Sequence, residues 1–162
     1  MEGKKVIILG SSRKNGNTTK IVDEIAKETG IDVINLSDYN ISHYDYESKN
    51  IEDDFLPLIK GILEKYETLI FATPIYWYNM SGIMKVFFDR FSDLIRIEKE
   101  TGRKLRGKKI GVISNSHDNE IEDSFYIPFK KTANYLGMEY LGHAHFNANI
   151  LNQTTKIELT FI

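Results

Sequence analysis

Residues 10–19 read GSSRKNGNTT, and what flanks them decides the fold. Before them, Val6, Ile7, Ile8 and Leu9 form an unbroken apolar run, the pattern of a strand buried on both faces. After them, Ile21, Val22, Ile25 and Ala26 recur at helical spacing, and Gly30 follows as a C-cap. Strand, polar turn and helix in that order are the first half of a βαβ crossover.

The alternation continues along the chain. Val33, Ile34 and Leu36 read as a second strand, and residues 37–50 as a polar, tyrosine-rich loop. Phe55, Ile59, Ile62, Leu63 and Tyr66 give a second helical stripe, with Pro57 tolerated in its first turn. Leu69–Ala72 make a third strand that Pro74 is expected to stop, and the apolar stripe from Ile83 to Ile95 predicts one helix over about 80–97. Ile110, Val112 and Ile113 form a fourth strand. A helix over Phe125–Leu136 and a fifth strand at 138–146 complete the pattern. Five strands alternating with four helices predict a parallel sheet covered on both faces. Ligands of such sheets bind beyond the carboxyl ends of the strands. The loops at 10–19, 74–81 and 114–121 are therefore where chemistry is expected.

The chain has 162 residues, 41% apolar and 27% charged, with a net charge of −2, which suits one globular domain over 1–162. That charge argues against a general nucleic-acid or anionic-lipid binder. There is no cysteine, so disulfides, thiol catalysis and thiolate-held clusters are excluded, in keeping with a cytoplasmic location. Met1 and Glu2 lead directly into the first strand pattern without a signal peptide, and no apolar run reaches the roughly 20 residues of a membrane helix.

In the first loop, Ser11, Ser12, Thr18 and Thr19 offer hydroxyls, Arg13 a planar charged donor, and Gly16 backbone freedom, all ahead of a helix N-terminus. The set suits a phosphate. It also suits a helix that is simply well capped. The glycine spacing matches neither a dinucleotide fingerprint nor a nucleoside-triphosphate loop, since five residues separate Gly10 from Gly16 and Asn17 stands in place of lysine. In the second loop, Ile75, Tyr76, Trp77 and Tyr78 follow one another behind Pro74. Four large side chains in a row fit a flat aromatic ligand or, alternatively, a covered surface or subunit contact.

Taken together, S-S-R-x-N-G-N-T after the first strand and T-P-I-Y-W-Y-x-M-S-G-x-M-K-x-F-x-D-R after the third resemble the flavodoxin-like NAD(P)H-dependent FMN reductases. The iron–sulfur flavoprotein-like branch is the nearest, and the likeness runs over about residues 4–115. The resemblance implies a three-layer α/β sandwich with strand order 2-1-3-4-5. It implies FMN, with its phosphate held by Ser11, Ser12, Arg13, Asn15, Gly16, Asn17 and Thr18 and its ring by Pro74, Ile75, Tyr76 and Trp77. Asn115 and His117, in the third loop, complete the candidate set. The implied reaction takes hydride from NAD(P)H and passes electrons to a quinone, nitro compound, free flavin or other small acceptor. A non-enzymatic FMN electron carrier is the alternative. The cofactor carries the chemistry, so no catalytic side chain is assigned.

Two departures stand out. Iron–sulfur members carry cysteines in the loop after the second strand, where this chain has NISHYDYESKN; His43 and Asp45 cannot replace thiolates, so a flavin without a cluster is expected. The resemblance also places a further helix after the fifth strand. Here the tail from about 147 reads NANILNQTTKIELTFI, in which Ile157, Leu159 and Phe161 alternate as in a strand. Such a tail is expected to leave apolar surface beside the first helix. With the aromatic loop and the tyrosines of 39–46, this predicts a homodimer or homotetramer.

Three other features carry less. The segment RIEKETGRKLRGKK (96–109) reads as a solvated connection, with a nucleic-acid patch and attraction of a nicotinamide phosphate as alternatives. His143 and His145 share a strand face but lack a third metal ligand. No nucleophile elbow or zinc-protease motif occurs, so hydrolase chemistry has no anchor.

Overall fold

A computed structural model describes residues 3–150 and 159–162. Its strands are β1 (Lys5–Leu9), β2 (Asp32–Asn35), β3 (Thr68–Tyr76), β4 (Asn79–Met80), β5 (Lys109–Ser116) and β6 (Glu139–Asn147). Its helices are α1 (Asn17–Thr29), α2 (Phe55–Lys65), α3 (Gly82–Asp89), α4 (Phe91–Arg96), α5 (Lys99–Arg103) and α6 (Ile127–Leu136). The sheet runs β2-β1-β3-β5-β6, all parallel, and β4 pairs antiparallel with the end of β3. With β4 set aside, this is the expected order 2-1-3-4-5.

Alternate residues of each buried strand feed two cores. Val6, Ile8, Leu69, Phe71, Ile110 and Val112 face α2, α3, α4 and α6. Ile7, Leu9, Ile70, Ala72 and Ile113 face α1, which contributes Ile21, Val22 and Ile25. Gly30 and Gly137 close α1 and α6 in the left-handed conformation (φ 71° and 74°), as their positions in the sequence suggest.

Three expectations need correction. Strand β3 is not stopped by Pro74 but continues to Tyr76. Strand β1 ends at Leu9, paired with Ala72, and the next carbonyl on that side, that of Gly10, takes its hydrogen from the Ser81 hydroxyl, so the N–H that proline lacks is not needed. The helix expected over 80–97 is two helices. At Arg90 a bond from Asp93 N to the Arg90 carbonyl (2.9 Å) tightens the turn. The buried Arg90 guanidinium there pairs with Asp53 and Asp93, donates to the Ser42 carbonyl, and lies over the Phe55 ring. It thereby fastens the tyrosine-rich loop to the break.

The surface beside α1 is the third. Leu159, Phe161 and Ile162 pack on the α1-side core. Gly111 and Gly142 make the slot: a Cβ on Gly111 would lie 2.1 Å from the Phe161 ring, and one on Gly142 3.0 Å from Phe161 Cβ. The strand expected around Ile157–Phe161 begins outside the described residues, at 157 and 158; 159–162 form a turn, not a strand.

Candidate functional site

The carboxyl ends of β1, β3 and β5 bring the three loops together. Helix α1 starts at Asn17 without a side-chain cap, so the first N–H groups of a 13-residue helix are left for another acceptor. In front of it, Ser11 and Gly16 are buried, whereas Ser12, Arg13 and Asn15 are exposed. The loop is drawn tight by Gly16 N and the Thr19 hydroxyl, which both donate to the Arg13 carbonyl (3.4 and 3.0 Å). A Cβ on Gly16 would meet Arg13 Cβ at 2.9 Å, so this close turn requires glycine. The Thr18 hydroxyl points inward and donates to Asn115 Oδ1 at 2.6 Å. The first and third loops are thus joined by one buried hydrogen bond.

The second loop is a hairpin. Ile75 pairs with Met80 and Tyr76 with Asn79, leaving Trp77 and Tyr78 as the two turn residues, both at positive φ (48° and 65°). This is the backbone of a two-residue turn that normally takes Asn-Gly. Two bulky aromatics there cost about 1–3 kcal/mol each, a strain that clusters at ligand sites. Their side chains are 93% and 88% exposed. The stem is stapled beneath them: Ser81 N donates to Thr73 Oγ1 (3.0 Å), and the Ser81 hydroxyl donates to the Gly10 carbonyl (2.6 Å). Ser81 also caps α3 by accepting from Met84 N.

Between this hairpin and the third loop lies a cleft of about 580 Å³, lined by Ile75, Trp77, Tyr78, Ser116, Asp118 and Phe125 among others. His117 is exposed and stands outside the lining, its Nδ1 2.9 Å from Asn149 Oδ1. Pro74 is buried within β3 beside Asn115. Of the expected residues, then, Thr18, Asn115, Ile75 and Trp77 are drawn to one end of the sheet by packing or pairing. The sequence reading did not assign Thr73, Ser81, Ser114 or Phe125 to the site, although Thr73 and Ser81 stand in the second motif and Ser81 also had a cap position before Met84.

The chain matches the sequence model of the NADPH-dependent FMN reductases over residues 4–152. It belongs to that family. A putative NAD(P)H-dependent FMN-containing oxidoreductase, YwqN of Bacillus subtilis, is 31% identical over 150 residues, covering 86% of this chain and 82% of the relative. An iron–sulfur flavoprotein of Archaeoglobus fulgidus is 32% identical over 98 residues, but these cover 54% of this chain and only 44% of that protein. The fold is shared with an FMN-dependent NADH-azoreductase of Bacillus anthracis solved with FMN (TM-score 0.65, 16% identity, 93% and 92% covered). As a member of that family the chain is an NAD(P)H-dependent FMN oxidoreductase. Its cysteine-free sequence offers no thiolates for a cluster. The uncapped α1 N-terminus, the exposed Ser12 and Arg13 side chains and the glycine-tight turn fit an FMN phosphate. Among the described residues, no helix is long and apolar enough to cross a membrane.

The basic segment lies elsewhere. Lys109 opens β5 at the end of the sheet opposite Ser116, and Lys104 and Lys108 pair with Glu64 and Glu67. The segment is also more than a solvated connection, since it forms α5 and buries Thr101, Leu105 and Lys108.

Proposed function

We propose that Ser11, Ser12, Arg13, Asn15, Gly16, Asn17 and Thr18 hold the FMN phosphate, and that Pro74, Ile75, Tyr76 and Trp77, with Asn115 and His117 at the rim, hold its ring. The observation that carries this is the uncapped N-terminus of α1 at the same end of the sheet as the strained aromatic hairpin. FMN, when bound there, would supply two-electron redox chemistry between NAD(P)H and the acceptor. The chain binds and orients. Backbone N–H groups and hydroxyls meet the phosphate, Arg13 balances its charge, and the hairpin supplies aromatic surface against the ring and acceptor. The acceptor is a quinone, nitro compound or free flavin, all flat enough for the cleft.

Exposure of Trp77 and Tyr78 supports a homodimer or homotetramer that covers the hairpin. Anaerobic mixing of the FMN-loaded protein with NADH or NADPH tests the enzyme reading. Rapid bleaching of flavin absorbance is expected, and no bleaching by either would make the protein an electron carrier. Light scattering tests assembly; a mass near 18.7 kDa with flavin bound would exclude the oligomer.

A further inference from the structure

Edge strand β6 carries a polar ladder that flavin binding leaves unused. His145, Asn147 and Asn149 alternate along β6 and the turn after it, and each reaches the third loop, His145 also coming within 3.4 Å of the Ser116 hydroxyl. His145 Nε2 lies 3.0 Å from the Asp118 carbonyl. Asn147 Nδ2 donates to Asn119 Oδ1 at 2.6 Å. Asn149 Oδ1 is 2.9 Å from His117 Nδ1, and its Nδ2 donates to the His117 carbonyl at 3.4 Å.

A carbonyl only accepts, so His145 Nε2 donates to Asp118. On the other side of the ring, Nδ1 lies 3.0 Å from the Ser114 hydroxyl, which is itself 2.8 Å from the Tyr126 hydroxyl. Ser114 and Tyr126 are buried, so the hydrogen-bonded chain Tyr126–Ser114–His145–Asp118 runs from the core to the loop.

The loop needs such a support. Residues 117–120 are exposed and polar, with no apolar anchor before Ile121, so no buried contact of their own offsets the entropy of ordering them. Yet Ser116 and Asp118 form the wall of the cleft that faces Trp77 and Tyr78. None of the three ladder residues lines that cleft. We propose that His145, Asn147 and Asn149 are positioning residues that hold the 116–120 loop as a fixed wall of the flavin and acceptor cleft. The proposal rests on the FMN reading given above.

Amide hydrogen exchange on the FMN-loaded and flavin-free protein tests it, together with KM for a benzoquinone probe. His145→Leu and Asn147→Ala, both at half-buried positions, are each expected to speed exchange at 117–120 by about tenfold while β1 and β3 stay protected. KM for the quinone rises by a similar factor, and kcat changes less. His145→Gln, which keeps an N–H donor and an acceptor oxygen, restores both. Unchanged exchange at 117–120 in the His145→Leu/Asn147→Ala double variant would overturn the proposal. So would faster exchange there with FMN affinity and quinone KM unaltered. If the unsubstituted protein binds no FMN, the parent reading fails and the proposal with it, whereas the exchange data alone distinguish a failed ladder.

Discussion

Thr18 on α1 and Asn115 at the end of β5 meet across the carboxyl edge of the sheet, hydroxyl to amide oxygen at 2.6 Å, with both residues buried. The bond ties the phosphate loop to the loop that flanks the cleft. Thr18→Val keeps the shape and removes the donor, leaving Asn115 Oδ1 unpaired. The expected loss is about 1–3 kcal/mol in urea unfolding, with weaker FMN binding. A double-mutant cycle with Asn115→Leu should recover much of that loss; strict additivity would show that the bond is not the cause.

Arg13→Ala separates binding from folding. The residue is exposed, so unfolding free energy should change by no more than about 0.5 kcal/mol. A lost charge-assisted bond to phosphate should weaken FMN by about tenfold to a hundredfold, read by titrating apo-protein. Equal dissociation constants would leave the phosphate to backbone and hydroxyl donors.

The hairpin stores strain that the fold alone does not need. Trp77→Asn with Tyr78→Gly supplies the residues this turn prefers and should stabilise the flavin-free protein by about 1–3 kcal/mol in thermal unfolding. The same change should lower the affinity for FMN and shift any dimer toward monomer. Gains in stability with no functional loss would mean the aromatic tip serves no ligand or partner.

Acid should release the tyrosine-rich loop. Burial opposes ionisation of Asp53, but hydrogen bonds from Arg90 and from the N–H groups of Ser42 and Phe55 prevail and hold its carboxyl below the ordinary range. A depressed carboxylate contributes stability above its unfolded pKa of about 3.9, and loses it as pH falls through the lower folded value. Asp53→Asn should cost about 3–5 kcal/mol at neutral pH, because Arg90 stays buried with one partner fewer, and should flatten the acid limb of the stability curve. A parallel acid limb in wild type and variant would locate the pH dependence elsewhere.

Gly111→Ala probes the slot on the α1 face. The new methyl would overlap the Phe161 ring, and a loss of about 1–3 kcal/mol is expected. In a Phe161→Ala background the same substitution should cost much less. Equal costs in both backgrounds would mean that Phe161 does not occupy the slot.

The two turn-forming glycines, the buried strand runs and the helical stripes were all legible in the sequence, because each depends on a local period or a local backbone requirement. They determine the alternation, and hence a parallel sheet with loops 10–19, 74–81 and 114–121 at one end. The phosphate-loop composition was equally readable, since Ser, Asn, Gly and Arg act there through their own donors and backbone freedom. Other features had no local signal. Pro74 looks like a strand terminator until β1 is seen to end at Leu9, opposite Ala72, with the Ser81 hydroxyl serving the Gly10 carbonyl beyond it. Trp77 and Tyr78 give no hint of positive φ; the pairing of Ile75 with Met80 and Tyr76 with Asn79 imposes it. Arg90 looks like a residue within a continuous helix until Asp53, 37 positions away, draws its charge into the core. Likewise, Thr18 finds Asn115 across 97 positions, and Phe161 fills a slot made by two glycines on neighbouring strands. Sequence periodicity records which face of an element is buried, but which residues meet across that face depends on the register of strands far apart in the chain, and only the tertiary structure sets it.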